Sequence, residues 1–173
     1  MRARHGLGLV FVRQGKYTEA IREFEELLRR NPNDNQGVRY LIGGAHHLAG
    51  NVRKAIDWYV NAGSHPMGSR DPENEFNRGL ALYQLRRYKP AVFQFRVAFF
   101  LNLYLPQVVL FRSVRPLRIW HGSNWAEPQH ALDYWEIYSK LWLRRRKASV
   151  FLRLVYQDKD VQRDLKSIVS TRS

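Results

Sequence analysis

The chain has 173 residues, 45% hydrophobic and 25% charged, enough for a substantial core and unlike a disordered chain. It holds no cysteine, which excludes disulfides and thiolate-bound metal. Lys plus Arg number 29 against 15 Asp plus Glu, a net charge of +14. The excess is spread along the chain, 11 basic against 7 acidic over 1–71, 8 against 3 over 72–127 and 10 against 5 over 128–173. Such a potential attracts nucleic acid, an anionic membrane or an acidic protein, and charge alone does not choose among them.

Apolar residues at spacings of three and four predict helices over 2–14, 17–30, 35–49, 52–63, 72–86 and 88–104. In the second of these Ala20, Phe24, Leu27 and Leu28 form one face, and Glu19, Arg22, Glu23, Glu26, Arg29 and Arg30 the other. Leu7–Val12 is too short for the core of a signal peptide, so no export is expected and the cytoplasm is the expected compartment. Gly15 and Gly50 stand at the first two hairpin corners, where a positive φ is needed. Arg86-Arg87 stands at the third, which predicts a different turn there.

Asn31-Pro32-Asn33-Asp34 reads as a turn with capping residues, and Ser69 to Glu73 as a cap, with Asp71 at the N-cap and Pro72 in the first turn. The longest uncharged run, Val97–Phe111, is too short for a spanning helix and reads as a buried last repeat helix and the chain beyond it. After Leu105-Pro106 the pattern changes. A short helix over Gln107–Arg112, a loop-rich stretch to Pro128, a helix over Gln129–Arg145 and a last pair over 147–156 and 159–169 are expected, with Ser170–Ser173 disordered. Trp120, Trp125, Trp135 and Trp142 read as core of this C-terminal part.

The first three predicted pairs repeat one phrase. Gly15, Ala20, Phe24 and Pro32 are followed by Gly50, Ala55, Tyr59, Ala62 and Pro66, and then by Arg86, Ala91, Phe95 and Ala98. A period in the mid-thirties, with a small residue and an aromatic four apart, is the pattern of stacked helical hairpins. Small residues are needed where paired helices approach, which sets Gly8 against Ala20, Gly43 against Ala55 and Gly79 against Ala91.

With Leu7, Gly8 and Phe11 on the first helix, Ile42 and Gly43 on the third, and Gly79 and Leu82 on the fifth, residues 2–104 resemble the tetratricopeptide repeat (TPR) family. The resemblance implies an all-α, right-handed α-solenoid of about three hairpins, over 2–34, 35–70 and 71–105. Residues 106–173 would be a helical extension capping the array, in a single structural domain. It also implies a concave groove lined by the first helix of each hairpin, with His5, Leu9, Val12, Tyr40, His47, Phe76, Asn77, Leu80 and Tyr83 facing it. A groove so apolar and aromatic suits an extended or helical peptide of acidic and hydrophobic character.

Catalytic patterns are missing. The six histidines show no His-Glu-x-x-His spacing, and neither a phosphate-binding loop nor a Gly-x-Ser-x-Gly elbow occurs. His46 and His47 are adjacent and point about 100° apart on a helix, so they do not share a metal. Asp158, Asp160 and Asp164 begin a helix, where acidic groups are favoured. No enzyme activity, cofactor or metal is expected. The densest basic run, Arg144, Arg145, Arg146 and Lys147, reads either as a solvated helix end or as a binding patch. The function expected is therefore that of an adaptor holding a protein segment, with a basic nucleic-acid-associated protein as the alternative.

Overall fold

The computed structural model describes residues 2–34, 37–63, 70–143 and 145–173. The expected turn at Pro66, the cap residue Ser69 and Arg144 of the basic run lie outside them. Among the described residues the chain is all-α, with ten α-helices and no strand, in the hairpin order of an α-solenoid. It forms two compact units, Met1–Ser69 and Arg70–Ser173. The third hairpin shares its unit with the C-terminal helices rather than with the first two hairpins.

The first unit contains α1 (Arg2–Arg13), α2 (Tyr17–Arg30), α3 (Val38–Leu48) and α4 (Val52–Gly63), each packed on the next. Its core is Ala20, Phe24, Ile42, Ala55 and Tyr59, all at or near zero exposure. α3 starts three residues later than the periodicity predicts. Gly37 takes φ +65°, and the Asp34 carboxylate accepts from the backbone N–H groups of Val38 (2.7 Å) and Arg39 (3.0 Å), closing the helix start from outside.

The second unit opens with α5 (Pro72–Gln84) and α6 (Tyr88–Leu101). Asp71 is the N-cap, accepting from the Asn74 N–H at 2.7 Å, with Pro72 behind it. α6 stops at Asn102, which is fully buried. Its Oδ1 accepts from the Tyr104 N–H, and its Nδ2 donates to the carbonyls of Trp125 and Glu127. That anchor ends the helix three residues before the predicted point and ties the loop down. There follow α7 (Leu105–Phe111), a 3₁₀ turn at Asn124–Ala126, α8 (Pro128–Leu143), α9 (Arg146–Gln157) and α10 (Lys159–Arg172). The last residues are helical to Arg172, not disordered, because Asp158 caps α10 and its last turn stays hydrogen-bonded to Ser173.

The small residues act differently from the pairing expected. A Cβ added to Gly8 would lie 2.3 Å from the Phe24 ring, to Gly43 2.6 Å from the Tyr59 ring, and to Gly79 2.7 Å from the Phe95 ring. Each glycine seats the aromatic of its partner helix, and that ring, not the alanine methyl, is its nearest neighbour. The third corner also departs from expectation. Arg86 takes φ +58° and its turn bonds as the glycine turns do. Arg86 N–H donates to Tyr83 O and Arg87 N–H to Leu82 O, as Gly50 donates to His47 O and Asn51 to His46 O. The same turn forms with an arginine in the left-handed position.

Candidate functional site

Four of the nine expected groove residues lie on α5, and the structure closes that face. Phe76 and Leu80 have no exposure and Asn77 has 1%. α8 brings the rings of Tyr134 and Trp142 to 5.4 and 5.3 Å from Phe76, and Phe151 of α9 lies 4.8 Å from Tyr83. The Tyr134 hydroxyl donates to Asn77 Oδ1 at 2.9 Å and accepts from Trp142 Nε1 at 2.8 Å. The expectation that Phe76, Asn77 and Leu80 face an open groove is thus corrected: they are core, because the chain supplies its own aromatic occupant. Tyr83 keeps partial exposure at the edge. The missed signal is on α8, where Tyr134 and Trp142 recur eight residues apart and their polar heads need buried partners.

The first unit is more open. His5 and Leu9 on α1 and Tyr40 on α3 are half-buried, and Leu7 and Val10 beside them are 42% and 43% exposed. Val12 is buried at 8%, and His47 at 1%, where its Nδ1 meets the Tyr59 hydroxyl at 3.1 Å, so neither presents a groove surface. His46 is buried as well, and loss of solvent pulls its imidazole pKa down. A recess of about 450 Å³ lies among Leu28 of α2, Pro32, Arg39 of α3, and Trp58 and Ala62 of α4. Arg39 is held in an ion pair with Asp34 at 2.8 Å. Sequence reasoning missed this recess, although Trp58 stood as the lone tryptophan of the first 69 residues.

The first unit consists of two hairpins packed through α2 and α3, with Gly8 of α1 under the Phe24 ring of α2 and Gly43 of α3 under the Tyr59 ring of α4. The sequence model of the family described as Tetratricopeptide repeat matches residues 5–64. Residues 5–64 are thus a tetratricopeptide-repeat segment. No curated protein matches the chain. The TPR match spans α1 to α4, and TPR repeats in general mediate contacts between proteins rather than catalysis.

Beyond the TPR segment, the basic run splits in two. Arg145 is half-buried and donates to Leu141 O at 3.1 Å, compensating the C-terminal end of α8. Arg146 and Lys147 are exposed in the first turn of α9, the end at which a helix dipole disfavours cations. Carboxylates gather at the start of α5. Burial pushes Asp71 up to about 6, against the pull of the backbone N–H groups of Asn74 and Glu73. Burial likewise raises Glu73 and Glu75, and the nearby Asp71 and Asp133 raise Glu73 further. These groups fasten elements together: His130 of α8 sits 3.5 Å from Glu73, and Gln94 of α6 donates to Glu75. Among the described residues no three His, Asp or Glu side chains converge as a metal site.

Proposed function

We propose that the protein is a non-enzymatic adaptor of the cytoplasm that binds a protein or peptide segment of acidic and hydrophobic character on α1 and α3. The observation that carries this reading is the contrast between equivalent surfaces. His5, Leu9 and Tyr40 remain partly exposed on the inner helices of the TPR segment, whereas at the matching places of α5 Phe76 is covered by Tyr134 and Trp142 of α8 and Leu80 has no exposure. The basic excess over residues 1–71 favours an acidic partner and speeds its encounter.

The test is a peptide selected by display on the full chain, with affinity read by fluorescence anisotropy. Changing His5→Ala, Leu9→Ser and Tyr40→Ala together is expected to weaken binding about tenfold or more, since partly exposed aromatic and apolar side chains dominate interfaces once desolvated. Helical content should be unchanged. Wild-type affinity in that variant would remove the inner helices as the site.

A further inference from the structure

The second unit carries a surface that neither its core nor the adaptor reading uses. Between Glu75 and Glu127 the sequence has no acidic residue and eight basic ones. Three of them, Arg112, Arg115 and Arg118, lie in the loop after α7, interleaved with Phe111, Leu117 and Trp120, which are 50%, 37% and 72% exposed. On α9, Val150 and Leu154 are 59% and 65% exposed. Arg146, Lys147 and Arg153 share their side of the helix, all five falling within roughly 120° at the helical repeat.

The loop and the helix form one surface. The Arg153 guanidinium lies 5.7 Å over the Phe111 ring, and that ring is 6.4 Å from Tyr156 of α9. Leu117 and Tyr156 line a shared recess of about 320 Å³ with Val169 of α10. The Trp120 backbone is held at the end of α10, where its main-chain N–H donates to Arg172 O at 2.9 Å. Neither folding nor helix electrostatics accounts for this set. The apolar side chains lie outside the core, and Arg146 and Lys147 stand at the unfavourable end of the α9 dipole.

We propose that this face docks peripherally on an anionic lipid bilayer. Exposed Val, Leu, Phe and Trp gain by leaving water for the boundary between headgroups and acyl chains, while Arg and Lys reach back to phosphates. α9 offers a convex stripe, as a planar surface requires. Three of the five apolar side chains of this face, Leu117, Val150 and Leu154, are aliphatic and offer bases no face to stack on, which favours an acyl boundary over a platform for single-stranded nucleic acid. No single helix among the described residues is long and apolar enough to cross a membrane.

The experiment is flotation of the full chain with vesicles of phosphatidylcholine alone or mixed with phosphatidylglycerol. Binding is expected to the mixed vesicles, falling with salt, and little to the neutral ones. Changing Arg146→Gln, Lys147→Gln and Arg153→Gln should weaken it about fivefold per charge removed. Changing Trp120→Ser, Val150→Ser and Leu154→Ser keeps the charge and should also weaken it severalfold. All six positions are exposed, so thermal melting should match the wild type and serves as the folding control. No binding to mixed vesicles, equal binding to both kinds, or affinity unmoved by the apolar variant would overturn the proposal. Displacement of vesicles by a single-stranded oligonucleotide whose binding needs only the charges would assign the face to nucleic acid instead.

Discussion

Tyr40 on α3 and Phe76 on α5 occupy the same place in successive repeats, three residues ahead of Gly43 and Gly79, each glycine pressed by the ring of its partner helix. One side chain is half-buried; the other has no exposure and is surrounded by Phe95, Phe99, Tyr134 and Trp142. The hairpin is specified by local features: spacing, a glycine seat and a left-handed corner. Whether its inner face stays open is decided by what the chain does afterwards. After α6 it brings back α8, whose aromatic side chains fill the α5 face.

The largest expected effect tests that difference directly. Phe76→Ala removes a fully buried ring from a cluster of aromatic neighbours and should cost the second unit about 3–5 kcal/mol. Tyr40→Ala, at a half-buried place, should cost about 1 kcal/mol or less. Urea unfolding followed by circular dichroism and by tryptophan fluorescence measures both. Equal costs would show that the two faces are packed alike and would break the comparison.

The units also differ in the sign of their response to pH. In the first unit the shifted carboxylate is Glu26, held at about 2 by hydrogen bonds from Arg29 and Arg30 on an exposed face; any stability it adds is present at neutral pH and is lost as pH falls toward 2. In the second unit Asp71 is raised from 3.8 to about 6, chiefly by burial, with Glu73 and Glu75 raised in the same sense. A folded state that binds the proton more tightly than the unfolded chain is most stable when protonated. Its stability therefore declines as pH rises from about 4 to about 6 and levels off above the raised pKa values. Asp71→Asn keeps a good cap and removes one buried charge, so it should flatten part of that decline, on the order of 1–3 kcal/mol. Amide exchange on α5 and α8 at pH 4.5 and 7.5, with α2 as the internal reference, reads the effect. An unchanged slope in the variant would place the titration elsewhere.

The hairpins were legible in the sequence because their determinants are local: the 3.6-residue period through Ala20, Phe24 and Leu27, the glycine corners, and the Asp71 cap with Pro72. The closure of α5 was not. Tyr134 and Trp142 lie 58 and 66 residues beyond Phe76, and their periodicity says that they are buried without saying against what. Tryptophan count misled in the same way. Trp142 is core, yet Trp120 is 72% exposed, and Trp135 lies under the Arg112 guanidinium at 3.9 Å. Residue type gives a tendency to be buried, and only the returning chain settles which side chains find a partner.

The smallest expected effect concerns the corner that the sequence marked as different. Gly15 (φ +77°), Gly50 (φ +86°) and Arg86 (φ +58°) occupy equivalent positions with equivalent hydrogen bonds. The first two are free of the Cβ clash of left-handed backbone, whereas Arg86 bears it, at about 1–2 kcal/mol. Glycine gives back part of that gain through its larger unfolded-state entropy. Arg86→Gly should therefore stabilise the second unit by about 0.5–1 kcal/mol, with Gly50→Ala destabilising the first by a similar or larger amount. Arg86 is exposed, so little else changes with the substitution. A small rise in the urea midpoint of the second unit with the m-value unchanged is the expected reading. A fall would mean that the arginine side chain contributes more at that corner than its backbone conformation costs, and that the third hairpin has a turn of its own after all.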